Sequence, residues 1–482
     1  MVLWIGVDDT DSRMGMCTTF LATELVRELS QDYDLIGYPR LVRLNPNIPW
    51  KTRGNGAICI RIGHGRGSPR VLGMLNGRDI RSFPRSAFDP PPSDVREAVT
   101  KTVVRWSRFE DPNTNPAFAI LRTRPPSKLY WNAVRDVVPL PAALRMACGR
   151  GLVVRYKNGR GAIGALAATA WRPRDRTFEI LAYRSKTRWG SPRDIDSSSV
   201  REMDQAFPST FNNYDYENER VTVAPHSPCP ILLGIRGDVP SDLPEAMAMI
   251  RCERPERWLI FETNQGTDDH VVRIRRFEPG HTVRFQGTVS ASPVTLRGGH
   301  VVFAVDGQSV TAYEPSKQFR TITRRLLLGD QVEVVGAVRN QPATVNLEKL
   351  RVIGMVSKFR KVANPACPQC VKRMKSMGRG EEFRCRRCGL RLPRTAALTV
   401  RVPRPLALGW FEPPVGSRRH LSMPLKRLAR LDLPRHATGW ASNPSFRKRA
   451  LPASAPWGHE AVPPASAECR AREFGIGPRE PG

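Results

Sequence analysis

Apolar positions along the chain change period several times. Residues 2–7 (VLWIGV) form an unbroken apolar run of strand length, whereas in 18–29 Phe20, Leu21, Leu25 and Leu29 recur at the spacing of one helix face. A second strand is predicted at 57–62 (AICIRI), and Val95, Val99, Val103 and Trp106 line a helix over 93–106. Between them, 63–92 is dense in Gly, Pro and Arg and reads as a loop or flap. After a short strand at 118–121 and a break at Pro125 and Pro126, strands at 178–183, 220–224 and 231–236 alternate with helices at 198–207 and 243–251. From Arg257 the pattern becomes strand after strand (WLIFET, TVRFQGTVS, HVVFAVDG, SVTAYEP, QVEVVGAVR, TVNLEKLRVIG), with one short helix over 318–327. Beyond 430 the chain is Pro, Ala, Ser and Arg without period.

These patterns predict a multidomain chain of class α/β plus β. Residues 1–127 read as layered α/β and 128–255 as a ferredoxin-like α+β region. In 256–356, strands, a helix and two further strands give the order of an OB-fold β-barrel, a module that commonly takes single-stranded nucleic acid. Residues 360–395 carry CPQC and CRRC, so that Cys367, Cys370, Cys385 and Cys388 have the spacing of a structural Zn2+ ribbon. An all-thiolate shell leaves no position for substrate. A basic segment (396–430) and a disordered tail (431–482) complete the organisation.

Charge then narrows the partners. With 76 Lys and Arg against 45 Asp and Glu, the formal net charge is +31, which draws polyanions and above all nucleic acid. No run of about 18 apolar residues offers a membrane span. The first apolar run is too short for a signal-peptide core, and six of the ten cysteines are scattered, unlike a disulfide framework. The expectation is a cytoplasmic protein, with no membrane and no obligate protein partner.

Against that basic background, DDTDS (8–12) places Asp8, Asp9 and Asp11 at the end of a buried strand. Such hard carboxylates suit Mg2+, and the helix that starts near Thr18 offers amides and hydroxyls for phosphate oxygens. Cation plus helix N-terminus outlines a nucleoside triphosphate site. Downstream, KTRGNGA (51–57) adds Lys51 and Arg53 beside glycines that let backbone approach a ligand. A helix-capping turn also accounts for part of DDTDS, but not for Asp8 and Asp9 together. A non-catalytic RNA-binding protein accounts for the charge, barrel and ribbon. A small-molecule kinase or ligase accounts for the acids alone.

Several long motifs in order carry a resemblance: IGVDDTDS with GMCTT, YPRLVRLNPNIPWKTRGNGA, NGRGAIGALAA, TFEILAYR, PHSPCPILLGIRGD, FETNQGTDDH, and the GWFEPP, SRRHLS and PLKR stretches. Over residues 1–425 the chain resembles the archaeal tRNA-isoleucine 2-agmatinylcytidine synthetase family. The resemblance implies a kinase-like first domain and an ATP-dependent attachment of agmatine to carbon 2 of the wobble cytidine in the CAU-anticodon isoleucine tRNA. AMP and phosphates are released, and AUA is then decoded as isoleucine. It implies that Asp8, Asp9, Thr10 and Asp11 hold Mg2+ and ATP, and that Thr18 contacts and accepts the γ-phosphate. Lys51, Arg53, Gly54, Asn55 and Gly56 would meet the phosphates or the flipped cytosine. For agmatine it points to the second α/β region, where Gly159, Gly161 and Gly164 allow close approach and Asp194, Asp196, Asp204 and Asp215 are the available acids. The choice among these four stays open.

Overall fold

A computed structural model describes residues 2–431, apart from 53, 88–91, 274–276 and 379. The expected disordered tail lies outside the described residues from 432 onward. The chain forms two compact units, one built from residues up to Val271 together with those from Arg418, the other from Val272–Ser417.

The first unit is organised on a twelve-stranded sheet. Its strands are β1 (Leu3–Asp8), β2 (Asp34–Ile36), β3 (Arg40–Arg43), β4 (Gly56–Gly63), β5 (Arg70–Leu75), β6 (Arg78–Phe83), β7 (Ala117–Leu121), β8 (Gly151–Arg155), β9 (Thr177–Tyr183), β10 (Thr210–Phe211), β11 (Ile231–Gly237) and β12 (Arg257–Thr263). They lie in the order β8-β7-β1-β4-β2-β6-β5-β12-β9-β11-β10, with β3 bridging β4 and β12. The period-2 alternation of β1 divides two cores. Leu3, Ile5 and Val7 pack with Phe20, Leu21 and Leu25 of α1 (Thr18–Leu29) and with Val95, Val99 and Val103 of α2 (Pro92–Trp106). On the opposite face Trp4, Ala57, Cys59, Ala119 and Leu121 meet α3 (Ser127–Arg135), α4 (Leu140–Ala147) and α5 (Gly161–Ala170). Further along the sheet Phe178, Ile180 and Ala182 are covered by Val200 and Met203 of α6 (Ser197–Ala206) and Leu243 and Ala246 of α7 (Asp242–Met249).

Three expectations change. The flap expected over 63–92 contains the antiparallel pair β5 and β6, joined at Asn76 and Gly77 with φ of 52° and 75°. That is the left-handed two-residue turn favoured in hairpins, and arginine-rich composition concealed it. The strand WLIFET, assigned by pattern to the barrel, is β12. It pairs with β5 and β9 inside the large sheet. A short apolar run buried on both faces carries no period that tells a central strand from a barrel strand. The strand expected at 220–224 shrinks to Arg220–Val221.

In the second unit, β13 (Thr282–Thr295), β14 (Val301–Val305), β15 (Gln308–Ala312), β16 (Gln331–Arg339) and β17 (Thr344–Gly354) pair in the ring β13-β14-β15-β17-β16 and back to β13. The closed barrel is filled by Val283, Val301, Phe303, Val310, Val334, Val345 and Leu350, with Phe319 of α8 (Phe319–Arg324) packed in after β15. Fully buried Asp330 turns the chain into β16: it accepts two bonds from Arg404 at 2.5 and 2.6 Å and the amides of Leu327 and Val356.

Candidate functional site: an acidic corner and a cysteine centre

Asp8 ends β1, and the backbone around it is crowded for a reason. A Cβ built on Gly6 would stand 2.1 Å from the Ala165 carbonyl oxygen, and one on Gly164 would stand 1.8 Å from Asp8 Oδ2. Gly161 likewise abuts the Asp8 carbonyl oxygen, at 2.9 Å from its Cβ position. Two of the three glycines assigned to agmatine from the sequence, Gly161 and Gly164, thus let α5 press against β1 at Asp8. Gly159 turns the chain into this helix with φ +71°.

Asp9 sits in the left-handed region at φ 58°. Arg160 Nη2 lies 3.6 Å from its carboxylate, and Asn115 hydrogen-bonds it. Asp11 accepts from Thr52 Oγ1 at 2.8 Å, and Arg13 Nε donates to the Thr52 carbonyl at 3.3 Å. DDTDS and KTRGNGA, forty residues apart, are therefore one site. Buried Thr10 donates its hydroxyl to Thr18 Oγ1 at 3.1 Å, which joins the acidic corner to the first turn of α1. The N-cap Cys17 makes no side-chain cap bond there.

Electrostatically the corner is strained. Burial, then the charge of Asp9, pushes the Asp8 carboxyl well above the carboxylate range. Asp9 is pushed up to about 6, first by burial, with Arg160 opposing. Hard oxygens crowded in this way fit a divalent cation. They form no closed cage of their own: among the described residues the one convergent set of three or more metal-ligating side chains is the cysteine cluster. Mg2+ is commonly held by one or two carboxylates and completed by substrate phosphates.

In the second loop, Lys51 Nζ donates to the carbonyls of Pro46 and Ile48. Asn55, at φ 46°, anchors the turn through Nδ2 to the Asn45 carbonyl at 2.8 Å. Gly54 leaves the space that a Cβ would take from Arg43 Nη1, 2.7 Å away, and Gly56 opens β4. Arg53 lies outside the described residues.

None of the four aspartates considered for agmatine takes part in the bonds described above. Asp196 caps α6 through Ser198 and pairs with Arg251. Asp204 accepts from Asn213, Tyr216 and Lys426, and Asp215 from Asn218. Asp194 is exposed, and among the described residues no donor reaches its carboxylate. Its neighbour Arg193 pins the PHSPCP loop through the carbonyls of Pro225, Ser227 and Cys229, and the Pro228 carbonyl comes to 3.7 Å from the Cβ position of Gly15. Sequence reasoning missed Arg160, Thr52, Asn115 and Arg193. NGRGAIGA held a signal for the first, an arginine between glycines at a helix start.

The Sγ atoms of Cys367, Cys370, Cys385 and Cys388 all lie within 4.8 Å of one another. A tetrahedral zinc site with Zn–S of about 2.3 Å has sulfur–sulfur edges of about 3.8 Å, so the set fits Zn2+. Each knuckle closes alike: the amides of Val371 and Gly389 reach back to the Cys367 and Cys385 carbonyls, with φ of 56° and 76°.

An acidic corner facing a helix start on an α/β sheet, in a chain with a separate barrel and zinc unit, defines a class of phosphate-handling proteins that engage nucleic acid. Residues 4–158 match the TiaS TCKD domain, 159–270 the TiaS FLD domain and 364–406 the TiaS C-terminal zinc ribbon domain. The isoleucine-tRNA 2-agmatinylcytidine synthetase TiaS of Methanosarcina acetivorans is 40% identical over 447 residues, covering 88% of this chain and 97% of its own. That of Methanocaldococcus jannaschii is 37% identical over 441 residues, covering 88% and 99%. Among solved structures, the complex of TiaS with isoleucine tRNA and ATP superposes with a TM-score of 0.75 at 36% identity, covering 89% of this chain and 97% of that one. The complex of TiaS with isoleucine tRNA, AMPCPP and agmatine gives 0.73 at 34%, with the same coverage. The chain belongs to the TiaS family.

Proposed function

We infer that the protein is an ATP-dependent ligase that attaches agmatine to carbon 2 of the wobble cytidine of the CAU-anticodon isoleucine tRNA. The observation that carries this reading is the union of Asp8, Asp9, Asp11 and the start of α1 with the 51–56 loop, in a chain that aligns with TiaS proteins along nearly their whole length. Asp8, Asp9 and Asp11 would hold Mg2+, which when bound neutralises phosphate charge. Arg160 keeps Asp9 in place. Thr18, whose oxygen accepts from Thr10 and whose proton is left to donate, is assigned to the γ-phosphate. Gly54, Asn55 and Gly56 form the backbone wall for phosphate or for the extruded base, which is already unpaired in an anticodon loop. Of the acids weighed for agmatine, Asp194 has the open carboxylate, next to the Arg193-pinned loop that faces Gly15. A guanidinium needs such an acceptor.

The ring order of the barrel, first-second-third-fifth-fourth, with a helix between the third and fourth strands, supports the OB-fold assignment. We assign a kinase-like role to the α1 half of the large sheet and a ferredoxin-like one to the α6 and α7 half. No helix among the described residues is long and apolar enough to cross a membrane, and the reading is of a cytoplasmic enzyme. The test is incubation with Mg2+, ATP, agmatine and a transcript of that tRNA, followed by mass analysis of the wobble nucleoside. A mass gain of agmatine less water, dependent on ATP, is the expected result. An unchanged cytidine with tRNA still bound rejects the catalytic reading in favour of a binding protein.

A further inference from the structure

On the α3 and α5 face of the large sheet, Trp4 and Trp131 stay partly exposed, and each holds guanidinium groups against its ring. Arg124 Cζ, in the loop after β7, lies 4.5 Å from the Trp4 ring centroid. Arg135 of α3 and Arg174 of the loop after α5 lie 4.4 and 4.7 Å from that of Trp131. Arg172 Nη1 ties the two loops together through the Pro125 carbonyl at 3.2 Å. Along α3, Lys128, Trp131 and Arg135 recur at helical spacing, while Leu129, Tyr130, Ala133 and Val134 are buried. The result is a continuous basic ridge. It begins at the Trp4 end of β1, four residues or about 13 Å from Asp8.

The acids nearby are already committed. Glu262 is shared by Arg40 and Arg176 at 2.9 and 2.8 Å, both oxygens of Asp175 go to Arg427, and buried Asp269 accepts the Tyr130 hydroxyl. Among the described residues the side chains of Arg124, Arg174 and Lys128 make no hydrogen bond or ion pair, and that of Arg172 makes only the bond to Pro125. Like charges adjoin along the ridge. Arg124 is held below its ordinary range first by burial and then by Arg172, and Arg135 first by burial, with Arg174 adding to it against Asp269. A guanidinium laid over an aromatic ring is fixed in place while its edge N–H groups stay free to donate. Several cations fixed in a row suit a polyanion with repeated charges better than one small anion.

We propose that this ridge, with Arg124, Arg172, Arg174 and Lys128 as its donors, binds the sugar–phosphate backbone of the tRNA at a surface separate from the acidic corner. The proposal rests on the ligase reading for the identity of its polyanion. The affinity for the isoleucine tRNA transcript, measured across a series of salt concentrations on the wild type and on the double variant Arg172→Gln with Arg174→Gln, tests it. Both side chains are exposed. The expected result is a loss of about tenfold near physiological salt and a log–log salt slope shallower by about 1.4–1.8, for two phosphate contacts. Melting temperature and Mg·ATP affinity stay at wild type, and Arg172→Lys with Arg174→Lys recovers most of the slope. Because backbone contacts carry no sequence, an unrelated tRNA transcript should lose the same factor. Unchanged affinity and slope, a loss matched by a fall in melting temperature and not recovered by lysine, or a loss confined to the isoleucine tRNA overturns the proposal. In the wild type, amine labelling of Lys128, read by peptide mass, should be reduced by tRNA and not by Mg·ATP. Equal labelling with and without tRNA also overturns it. A wild type that binds tRNA without transferring agmatine rejects the ligase reading alone, whereas a double variant with wild-type affinity and slope, beside a wild type that forms agmatidine, rejects the ridge alone.

Discussion

Asp8, Asp9 and Asp11 share one unit with Asp194, Asp196, Asp204 and Asp215, and the two sets meet opposite surroundings. In the first, burial and like charge raise Asp8 and Asp9, and Arg160 at 3.6 Å from Asp9 offers partial relief. In the second, Asp196 is drawn below its ordinary range, first by Ser198 and then by Arg251, and Asp204 is saturated by Asn213, Tyr216 and Lys426. A carboxylate that the fold satisfies stabilises the fold. One that the fold leaves crowded and wanting charge is poised for a ligand from outside.

Substitutions can break this contrast. The largest effect is expected from Asp8→Asn or Asp9→Asn: agmatidine formation falls by roughly a thousandfold or more, while tRNA affinity stays near wild type. The melting temperature without ligands holds or rises, because a crowded charge is gone. Loss of tRNA binding with normal ATP turnover would refute the assignment. Asp204→Ala should show the reverse. Leaving Asn213 and Tyr216 without an acceptor costs about 1–3 kcal/mol of unfolding free energy, read by urea titration, with agmatine KM unchanged.

A third test concerns Asp269, which accepts the Tyr130 hydroxyl at 2.6 Å and is pushed up to about 6, first by burial. The folded state favours its protonated form. The stability it contributes is therefore complete below about pH 4, declines as pH rises toward about 6, and is absent above. Asp269→Asn should remove that slope from the difference between variant and wild-type unfolding curves, and an identical pH profile in the two proteins would show that Asp269 is not the source. The smallest effect is expected from Asp196→Ala, which removes a helix cap on the surface. Its melting temperature should fall by less than that of Asp204→Ala, with catalysis intact. A raised agmatine KM there would move Asp196 from the satisfied set to the functional one.

How far these regions were legible in the sequence follows from the range of the interactions. Strand β1, helix α1 and the paired cysteine knuckles depend on neighbours within a few residues, and periodicity and spacing reveal them. The hairpin of β5 and β6 was legible only at Asn76 and Gly77, since its strands carry arginines where a pattern would show apolar residues. Strand β12 was legible as a strand but not as a member of the large sheet, because its partners lie at positions 70–75 and 177–183. The site divides in the same way. DDTDS announces itself, whereas Thr52 on Asp11 and Arg160 on Asp9 are contacts across 41 and 151 positions that no local rule encodes.

The discontinuity of the first unit has a consequence for how the protein is made. Residues 272–417 are an insertion between β12 and the segment from Arg418 onward, which places Leu421 in the core beside α5 and pairs Arg427 with Asp175 and Asp238. A ribosome therefore begins the catalytic unit first and completes it last, after the barrel and the zinc unit have emerged. Until Arg427 clears the exit tunnel, Asp175 and Asp238 lack the cation that joins them. A nascent or clipped chain ending anywhere in the insertion carries DDTDS and the 51–56 loop but not the Arg427 that clamps Asp175 and Asp238, so the fold ties completion of the catalytic unit to synthesis of the segment that follows the insertion.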